Sequence, residues 1–242
     1  DELAAALADS IWDRREELKG QMVDIETALD RAASLAGPVC LLDMGDNVGG
    51  GSAADGTFLA NAIESRTGLT GFVCLYDPES VRVATQAGIG KLVELSIGGK
   101  SDKLHGEPLV GSYRVCSLNE GRFRETEVRH GGISDFDQGA TAIVETGSRL
   151  TIMLTSKRMV PFSLQQLLSC GIDPNQFQVI VAKGVNAPLA AYREVCPNFI
   201  RVNTPGSTSA DMTTFDYLNR RRPLFPLEEN AVWHPTTEDQ CS

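Results

Sequence analysis

The sequence predicts an α/β fold with a mostly parallel sheet flanked by helices and an inserted antiparallel β section. Short, continuous apolar runs at Val39–Leu42, Gly71–Tyr76 and Val179–Ala182 are typical of strands buried on both faces of a parallel sheet. Segments whose apolar residues recur at helical spacing separate these runs. Between residues 92 and 155, apolar and polar residues alternate and Gly, Asn and Ser turns intervene, which predicts antiparallel strands.

The other elements follow in order along the chain. Apolar residues from Leu3 to Leu18 predict an amphipathic helix, and Asp24 is the predicted N-cap of a helix over Ile25–Leu35. Further helices are predicted at Phe58–Arg66, Pro78–Ala87, Ser163–Ser169 and Leu189–Val195. The antiparallel strands are predicted at Leu92–Ile97, Glu107–Leu118, Arg122–Val128, Ala140–Glu145 and Leu150–Thr155, and a last strand at Phe199–Val202. The polar segment Glu228–Ser242 is predicted to fray.

Composition limits the partners and the compartment. The chain of 242 residues carries 22 Lys and Arg against 32 Asp and Glu, and a formal charge of -10 argues against binding to nucleic acid or anionic membranes. Six cysteines without a C-x-x-C or Cys/His pairing predict reduced thiols, and no basic, apolar leader opens the chain. We therefore expect a cytoplasmic protein with neither a nucleic-acid nor a membrane partner.

One acidic, glycine-rich loop, Asp43–Thr57, is the predicted functional centre. It follows the first buried strand, at the carboxyl edge where α/β folds bind ligands. Its consecutive Gly49, Gly50 and Gly51 permit a tight backbone with exposed amide hydrogens, which is typical of phosphate loops. The loop nevertheless has no Lys or Arg, lacks a G-K-[ST] ending and contains three carboxylates. We therefore exclude a nucleotide phosphate as its ligand.

The polar side chains of the loop suit a different chemistry. The carboxylates of Asp43, Asp46 and Asp55 and the amide of Asn47 fit a cation, a substrate amine or hydroxyl, or proton transfer beside a metal held elsewhere. The alternative is structural, with Asp55 capping the following helix and Asp43 and Asp46 closing Asx-turns. Turn formation alone does not need so much permissive backbone, whose ordering is entropically unfavourable.

Two basic residues are further candidates. Arg158 follows a predicted strand, and its planar guanidinium suits a substrate carboxylate, with a solvated surface charge as the equal alternative. Lys183 ends a buried strand, so parallel strands would bring it to the same sheet edge as the acidic loop. We therefore assign Lys183 to the site rather than to the surface.

The order of the motifs resembles a known family. The resemblance is carried by Asp43-x-x-Asp46-Asn47-x-Gly49-Gly50-Gly51-x-x-x-Asp55-Gly56-Thr57, Ser156-Lys157-Arg158, Val181-Ala182-Lys183-Gly184-Val185, Thr204-Pro205-Gly206 and the closing Arg220–Leu227. Over about Pro38 to Leu227, this combination resembles the C-terminal domain of the MlrC-like (microcystinase C) zinc metallopeptidases.

The resemblance implies a zinc-dependent hydrolase of peptide or amide bonds whose N-terminal domain supplies the metal ligands. Residues 1–36 would then be a helical extension from that domain, residues 37–228 the C-terminal α/β domain, and residues 229–242 a polar tail. The three histidines lie at no metal-ligand spacing, so we expect no zinc on this chain alone, and no activity without the other domain. The implied partners are that N-terminal domain, a peptide or amide substrate and a second copy of the chain.

The family's site would be interdomain, with the acidic loop lining one side. Among the loop residues assigned to catalysis, Asp46 and Asn47 would orient the substrate or stabilise an oxyanion together with the glycine amides. Asp43 and Asp55 would hold the shape of the loop. A non-catalytic domain that binds a small ligand or dimerises is the alternative function.

The remaining substrate-binding assignments complete this interpretation. Thr57, Arg158, Lys183 and Asn186 are assigned to substrate binding beside Gly49, Gly50 and Gly51. Many relatives carry a histidine where this chain has Asn186, and an amide cannot titrate, so no acid–base role is expected there.

Overall fold

A computed structural model describes residues 2–19 and 22–233. The chain divides into two compact units, a terminal unit of residues 1–21 and 211–242 and a sheet unit of residues 22–210. The part of the frayed segment predicted beyond residue 233 lies outside the described residues. The division at residues 36 and 228 stays a prediction.

The terminal unit contains helix α1 (Glu2–Asp13). This helix is shorter than predicted, because a single 3-10 turn at residues 17–19 replaces its expected last turn. The ring of Trp12 meets Phe225 edge to face at 6.0 Å between centroids, and the guanidinium of Arg15 lies 4.5 Å above the Trp12 ring. Aromatic and cation–π contacts thus join the two ends of the chain within this unit.

The sheet unit is built from ten strands and five helices within residues 22–210. The strands are β1 (Val39–Asp43), β2 (Gly71–Tyr76), β3 (Leu92–Ile97), β4 (Leu109–Asn119), β5 (Arg122–Arg124), β6 (Asp135–Asp137), β7 (Thr141–Glu145), β8 (Leu150–Thr155), β9 (Val179–Ala182) and β10 (Asn198–Val202). The helices are α2 (Ile25–Ser34), α3 (Phe58–Glu64), α4 (Pro78–Ala87), α5 (Gln165–Leu168) and α6 (Ala187–Tyr192).

Eight of these strands form one sheet in the order β10-β1-β9-β2-β8-β7-β4-β3. The first five run parallel, whereas β7, β4 and β3 are antiparallel to their neighbours. This arrangement confirms the predicted α/β fold with a mostly parallel sheet. The antiparallel section extends the same sheet, because β8 pairs with β7 on one side and parallel with β2 on the other.

The predicted strand at Arg122–Val128 is wrong in its length. Strand β5 ends at Arg124 and pairs only with the three-residue β6, which the sequence pattern did not indicate. The alternation of apolar and polar residues continues beyond Arg124, but the apolar side chain of Val128 is 93% exposed and does not pack against the sheet. Pairing rather than periodicity sets the end of this strand.

Both faces of the sheet are covered, as the continuous apolar runs predicted. Along β1, Val39 and Leu41 pack in one cluster with α2, α3 and α4, whereas Cys40 and Leu42 pack in a second cluster beside α5 and α6. Asp24 caps α2 by accepting a hydrogen bond from the Thr27 N–H at 2.9 Å, which confirms the predicted start of that helix.

The parallel half of the sheet brings the sequence motifs to one edge. Strand β1 ends at Asp43, Lys183 directly follows β9, and Thr204 lies two residues beyond the end of β10. The motif with Arg158 follows β8 at the same edge. Within the described ranges, none of the helices combines the length and the apolar character of a membrane span.

Candidate functional site at the carboxyl edge of the sheet

A buried lysine between two carboxylates lies at the base of the acidic loop. The Lys183 ammonium is 2.8 Å from Asp43 Oδ2 and 3.1 Å from Asp46 Oδ2, and it donates to the Gly56 carbonyl at 2.5 Å. All three charged side chains are at most 4% exposed. Lys183 has three N–H donors, so these partners fully use its hydrogen-bonding capacity. The group holds the two ends of the loop together.

Asp46 organises the loop from the inside. Its Oδ1 accepts hydrogen bonds from the Ser52 hydroxyl and the Ala54 N–H, both at 2.7 Å, and its Oδ2 accepts from the Gly56 N–H at 2.7 Å. Burial alone would raise the pKa of Asp46, but the charge of Lys183, the Ser52 hydroxyl and the Gly56 amide together lower it to about 2. The carboxylate is therefore ionised at neutral pH, and its hydrogen bonds to Ser52, Ala54 and Gly56 hold the loop in shape.

The lowered pKa of Asp46 predicts acid sensitivity. Because the folded-state pKa lies below the ordinary value of 3.8, the unfolded chain binds more protons in acid, and stability rises with pH. The contribution, about 2 kcal/mol, is complete above pH 4 and is lost as the pH falls towards 2. We expect urea unfolding of the wild type to lose about this much more free energy between pH 5 and 2 than unfolding of Asp46→Asn. Parallel pH profiles would contradict this assignment.

Asp55 does not cap the following helix, which corrects the structural alternative considered for it. Its Oδ2 accepts the backbone N–H groups of Lys100 and Ser101, both at 2.9 Å, whereas the N-cap of α3 is Thr57, without a side-chain cap bond. The hydroxyl of Thr57 instead donates to the Glu107 carbonyl at 2.7 Å. Both residues therefore fasten the acidic loop to the connection between β3 and β4.

The outer part of the loop, Asn47 and Gly49 to Gly51, forms an exposed crest. The backbone makes a 3-10 turn over Val48–Gly50 and then enters the left-handed region at Gly51, with φ of 93°. The three glycines are exposed and Asn47 is half-buried. Within the described part of the chain, the carboxamide of Asn47 makes no capping hydrogen bond to this turn, although Asn47 is its N-cap residue.

A second loop, Thr204–Thr208, packs against the acidic loop after β10. The Thr204 hydroxyl contacts Asp43 Oδ1 at short range and accepts the Gly45 N–H at 2.8 Å, and the Thr208 hydroxyl accepts the Asn47 N–H at 2.9 Å. Gly45 and Gly206 pack backbone against backbone, since a Cβ on Gly45 would lie 2.2 Å from the Pro205 carbonyl oxygen. The sequence motif that contains this loop was recognised, but its contact with the acidic loop was not predicted.

A buried histidine joins three loops and was missed by the sequence analysis as a site residue. His105 is 0% exposed; its Nε2 lies 2.8 Å from the Ser52 hydroxyl, and its Nδ1 lies 2.8 and 2.9 Å from the carboxylate oxygens of Asp102. Burial would raise the pKa of Asp102, but the Leu104 amide and His105 lower it below its ordinary value. The three-residue spacing of Asp102 and His105 was the available signal.

The other predicted site residues lie around this centre with different surroundings. Arg158 is exposed; its Nε donates to the Ala53 carbonyl at 2.9 Å and its guanidinium lies 4.4 Å above the Tyr76 ring. These contacts fix the plane of the guanidinium, and its terminal nitrogens have no hydrogen-bond partner within residues 2–19 and 22–233. Asn186 is exposed and accepts a hydrogen bond from Arg201 at 3.1 Å, apart from the buried group around Lys183.

Comparison with known proteins identifies the family of this domain. The family model described as MlrC C-terminus matches residues 41–219, which include the acidic loop, Lys183 and the second loop. The chain belongs to the MlrC C-terminus family. The resemblance inferred from the motifs is therefore confirmed.

Two relatives of this MlrC C-terminal domain are larger proteins. Microcystinase C of Sphingomonas sp is 26% identical over 206 residues, covering 85% of the chain and 38% of that protein. The crystal structure of a "Putative metallopeptidase" from Mesorhizobium sp. BNC1 is 27% identical, with a TM-score of 0.82, covering 95% of the chain and 45% of that protein. The chain thus spans less than half the length of both proteins.

The side chains of this MlrC C-terminal domain do not fit a zinc site of their own. Across residues 2–19 and 22–233, no three His, Cys, Asp or Glu side chains come together as metal ligands. Asp43 and Asp46 face the Lys183 ammonium, and Nε2 of His105 faces hydroxyl groups. A cation at these carboxylates would have to displace a lysine that is already paired with both.

Proposed function

We propose that this chain is the C-terminal domain of a zinc-dependent peptidase or amidohydrolase, and that its acidic loop forms one side of an interdomain active site. Membership of the MlrC C-terminus family and the likeness to a "Putative metallopeptidase" support the reaction class. One observation supports this role of the loop: its crest is exposed, whereas its carboxylates at Asp43 and Asp46 are buried and fully paired. The crest is the part of the loop that a substrate can reach.

The hydrogen bonds that each side chain of the loop already makes indicate its role. Asp43, Asp46 and Lys183 are saturated by one another, by the backbone and by two hydroxyl groups, so they act as positioning residues. The hydroxyls are those of Ser52 and Thr204. Asn47 and the amides of Gly49 to Gly51 are the groups that contact the substrate, and Asn47 donates to the oxygen on which negative charge develops. A rigid, buried base allows such donors to act without reorganising during the reaction.

Arg158 provides a second contact in this proposal. Its guanidinium is held by the Ala53 carbonyl and by stacking on Tyr76, which leaves a planar fork suited to a peptide carboxylate. Ala53 belongs to the acidic loop, so the carboxylate contact and the crest belong to one surface of the sheet unit. This arrangement suits a short peptide with a free carboxyl group.

Zinc belongs to another part of the complete protein in this proposal. The metal would polarise the scissile carbonyl and supply the attacking water. This chain's own residues orient the peptide and stabilise charge. Both relatives are longer than this chain, which supports an additional domain in the complete protein, and we assign the metal ligands to that domain. A second copy of the chain and a cytoplasmic location are further parts of the proposal. The five free cysteines within the described residues support the location, because reduced thiols are typical of the cytosol.

Removing the amide of Asn47 should lower catalysis without unfolding the domain. In the complete polypeptide, we expect Asn47→Ala to reduce kcat for zinc-dependent hydrolysis of short peptides by about 10²-fold, the effect of losing one oxyanion donor, with a small change in KM. Steady-state kinetics with and without a zinc chelator measure this.

A matched control is Asn175→Ala. Asn175 is an exposed asparagine that precedes β9, at the opposite edge of the sheet from the crest. Its replacement should leave kcat and KM unchanged. Equal kcat values for wild type and Asn47→Ala would remove the crest from the mechanism. They would favour the alternative of a domain that binds a ligand or dimerises without chemistry.

A further inference from the structure

An exposed serine lies beside the buried histidine and aspartate. The Ser207 Oγ is 3.4 Å from Nε2 of His105 and 3.0 Å from the Ser52 hydroxyl, and the Ser207 N–H points at the same Nε2 at 3.3 Å. Asp102 contacts the opposite ring nitrogen. A hydroxyl, an imidazole and a carboxylate thus follow one another in the order used for nucleophilic catalysis.

The backbone N–H of Ser207 favours one tautomer of His105. The Ser207 N–H can only donate, so its 3.3 Å contact with Nε2 fits the tautomer in which this nitrogen is unprotonated. Nδ1 then carries the hydrogen and donates it to Asp102 at 2.8 Å. The single hydrogen of the Ser52 hydroxyl then faces two acceptors, Nε2 at 2.8 Å and Asp46 Oδ1 at 2.7 Å. The lone pair of Nε2 consequently faces both serine hydroxyls, and Asp102 stabilises the imidazolium that forms when this lone pair takes a proton.

We propose that Ser207 is a nucleophilic serine that accepts acyl groups from esters, with His105 as its general base and Asp102 as the orienting carboxylate. Ser52 is closer to His105, but it is 3% exposed and its hydroxyl hydrogen is shared between Nε2 and the Asp46 carboxylate, at 2.8 and 2.7 Å. Ser207 is exposed and reaches the same base. Its longer distance to Nε2 is typical of catalytic hydrogen bonds that tighten only in the reacting complex.

The acyl transfer balances with groups present on this chain and an ester substrate. The Ser207 Oγ forms a bond to the ester carbonyl carbon while its proton passes to His105 Nε2, and the alcohol leaves with that proton. Water then cleaves the acyl-serine ester with His105 again as base, which yields a carboxylic acid and restores Ser207. This reaction goes beyond the proposed zinc peptidase function and does not depend on it.

Covalent labelling tests the proposal on the full chain in the presence of a zinc chelator. A fluorophosphonate probe should add once, at Ser207, with release of fluoride, as read by intact mass and peptide mapping. His105→Gln and Asp102→Asn should each slow labelling by about 10²-fold or more, the contribution of a general base. Ser207→Ala should remove the label, whereas Ser101→Ala, which alters an exposed serine in the loop that carries His105, should label like the wild type.

Two results would overturn the proposal. One is a folded wild-type chain, checked by circular dichroism, that stays unlabelled at Ser207. The other is labelling at Ser207 that proceeds at the wild-type rate in either folded variant of the His105–Asp102 pair. The chelator separates this test from the peptidase proposal, because loss of zinc chemistry leaves the labelling rate unaffected.

Discussion

Replacing Lys183 by Met should destabilise the protein by about 3 to 5 kcal/mol, because it leaves Asp43 and Asp46 as uncompensated charges in a buried site. Both carboxylates are at most 3% exposed, so water cannot replace the lysine without opening the loop. Urea unfolding at pH 7 measures this loss.

Two further variants show whether charge burial is the cause. Lys157→Met removes a lysine that is 58% exposed and paired with Asp137 at the surface, and it should change stability by less than about 1 kcal/mol. Lys183→Met combined with Asp46→Asn should recover part of the lost stability, because one of the two uncompensated charges is gone. If the double variant is less stable than Lys183→Met, buried charge is not the cause of the loss.

Gly45→Ala is expected to separate the two loops of the site. A Cβ at this position would lie 2.2 and 2.3 Å from the carbonyl oxygens of Pro205 and Thr204, and backbone atoms cannot rotate away as a flexible side chain can. We expect a loss of about 3 kcal/mol, at the upper end for overpacking. Amide exchange at Asn47, whose N–H is bonded to Thr208 at 2.9 Å, should accelerate in the same variant.

Gly147→Ala is the matched control for this change. Gly147 lies in the exposed turn between β7 and β8, and a Cβ there would meet no atom within 4 Å. Stability should stay unchanged or rise by up to about 1 kcal/mol, since alanine restricts the unfolded chain. Unaltered exchange at Asn47 in Gly45→Ala would mean that the close packing of the two loops does not hold the crest.

The parallel half of the fold could be predicted well because local signals and tertiary packing agree there. Strand β2 and helix α4 begin and end at the predicted residues, since buried apolar runs define the strand and Asp77 with Pro78 defines the helix start. The ribbon of β5 and β6 was not predictable in the same way. A three-residue Asp-Phe-Asp strand exists only through its partner, and the chain has no local signal for that pairing.

The candidate site, like the fold, was predictable only where parallel strands position its residues. Parallel strand ends predicted that Asp43 and Lys183 meet at one edge, and they are in direct contact. His105 lies in the connection between the antiparallel strands β3 and β4, which sequence reasoning did not direct towards that edge. Only the folded backbone brings His105 to Ser52 and Ser207, which are 53 and 102 positions away in the chain.

The contact between Thr204 and Asp43 joins residues 161 positions apart, and Lys183 follows Asp43 by 140 positions. A ribosome adds about 5 to 20 residues per second, so Asp43 is made roughly ten to thirty seconds before Thr204, its most distant partner in the sequence. Until Lys183 is added, Asp43 and Asp46 lack the ammonium that pairs with both of them. A nascent chain interrupted before residue 204 carries the acidic loop but has no formed site.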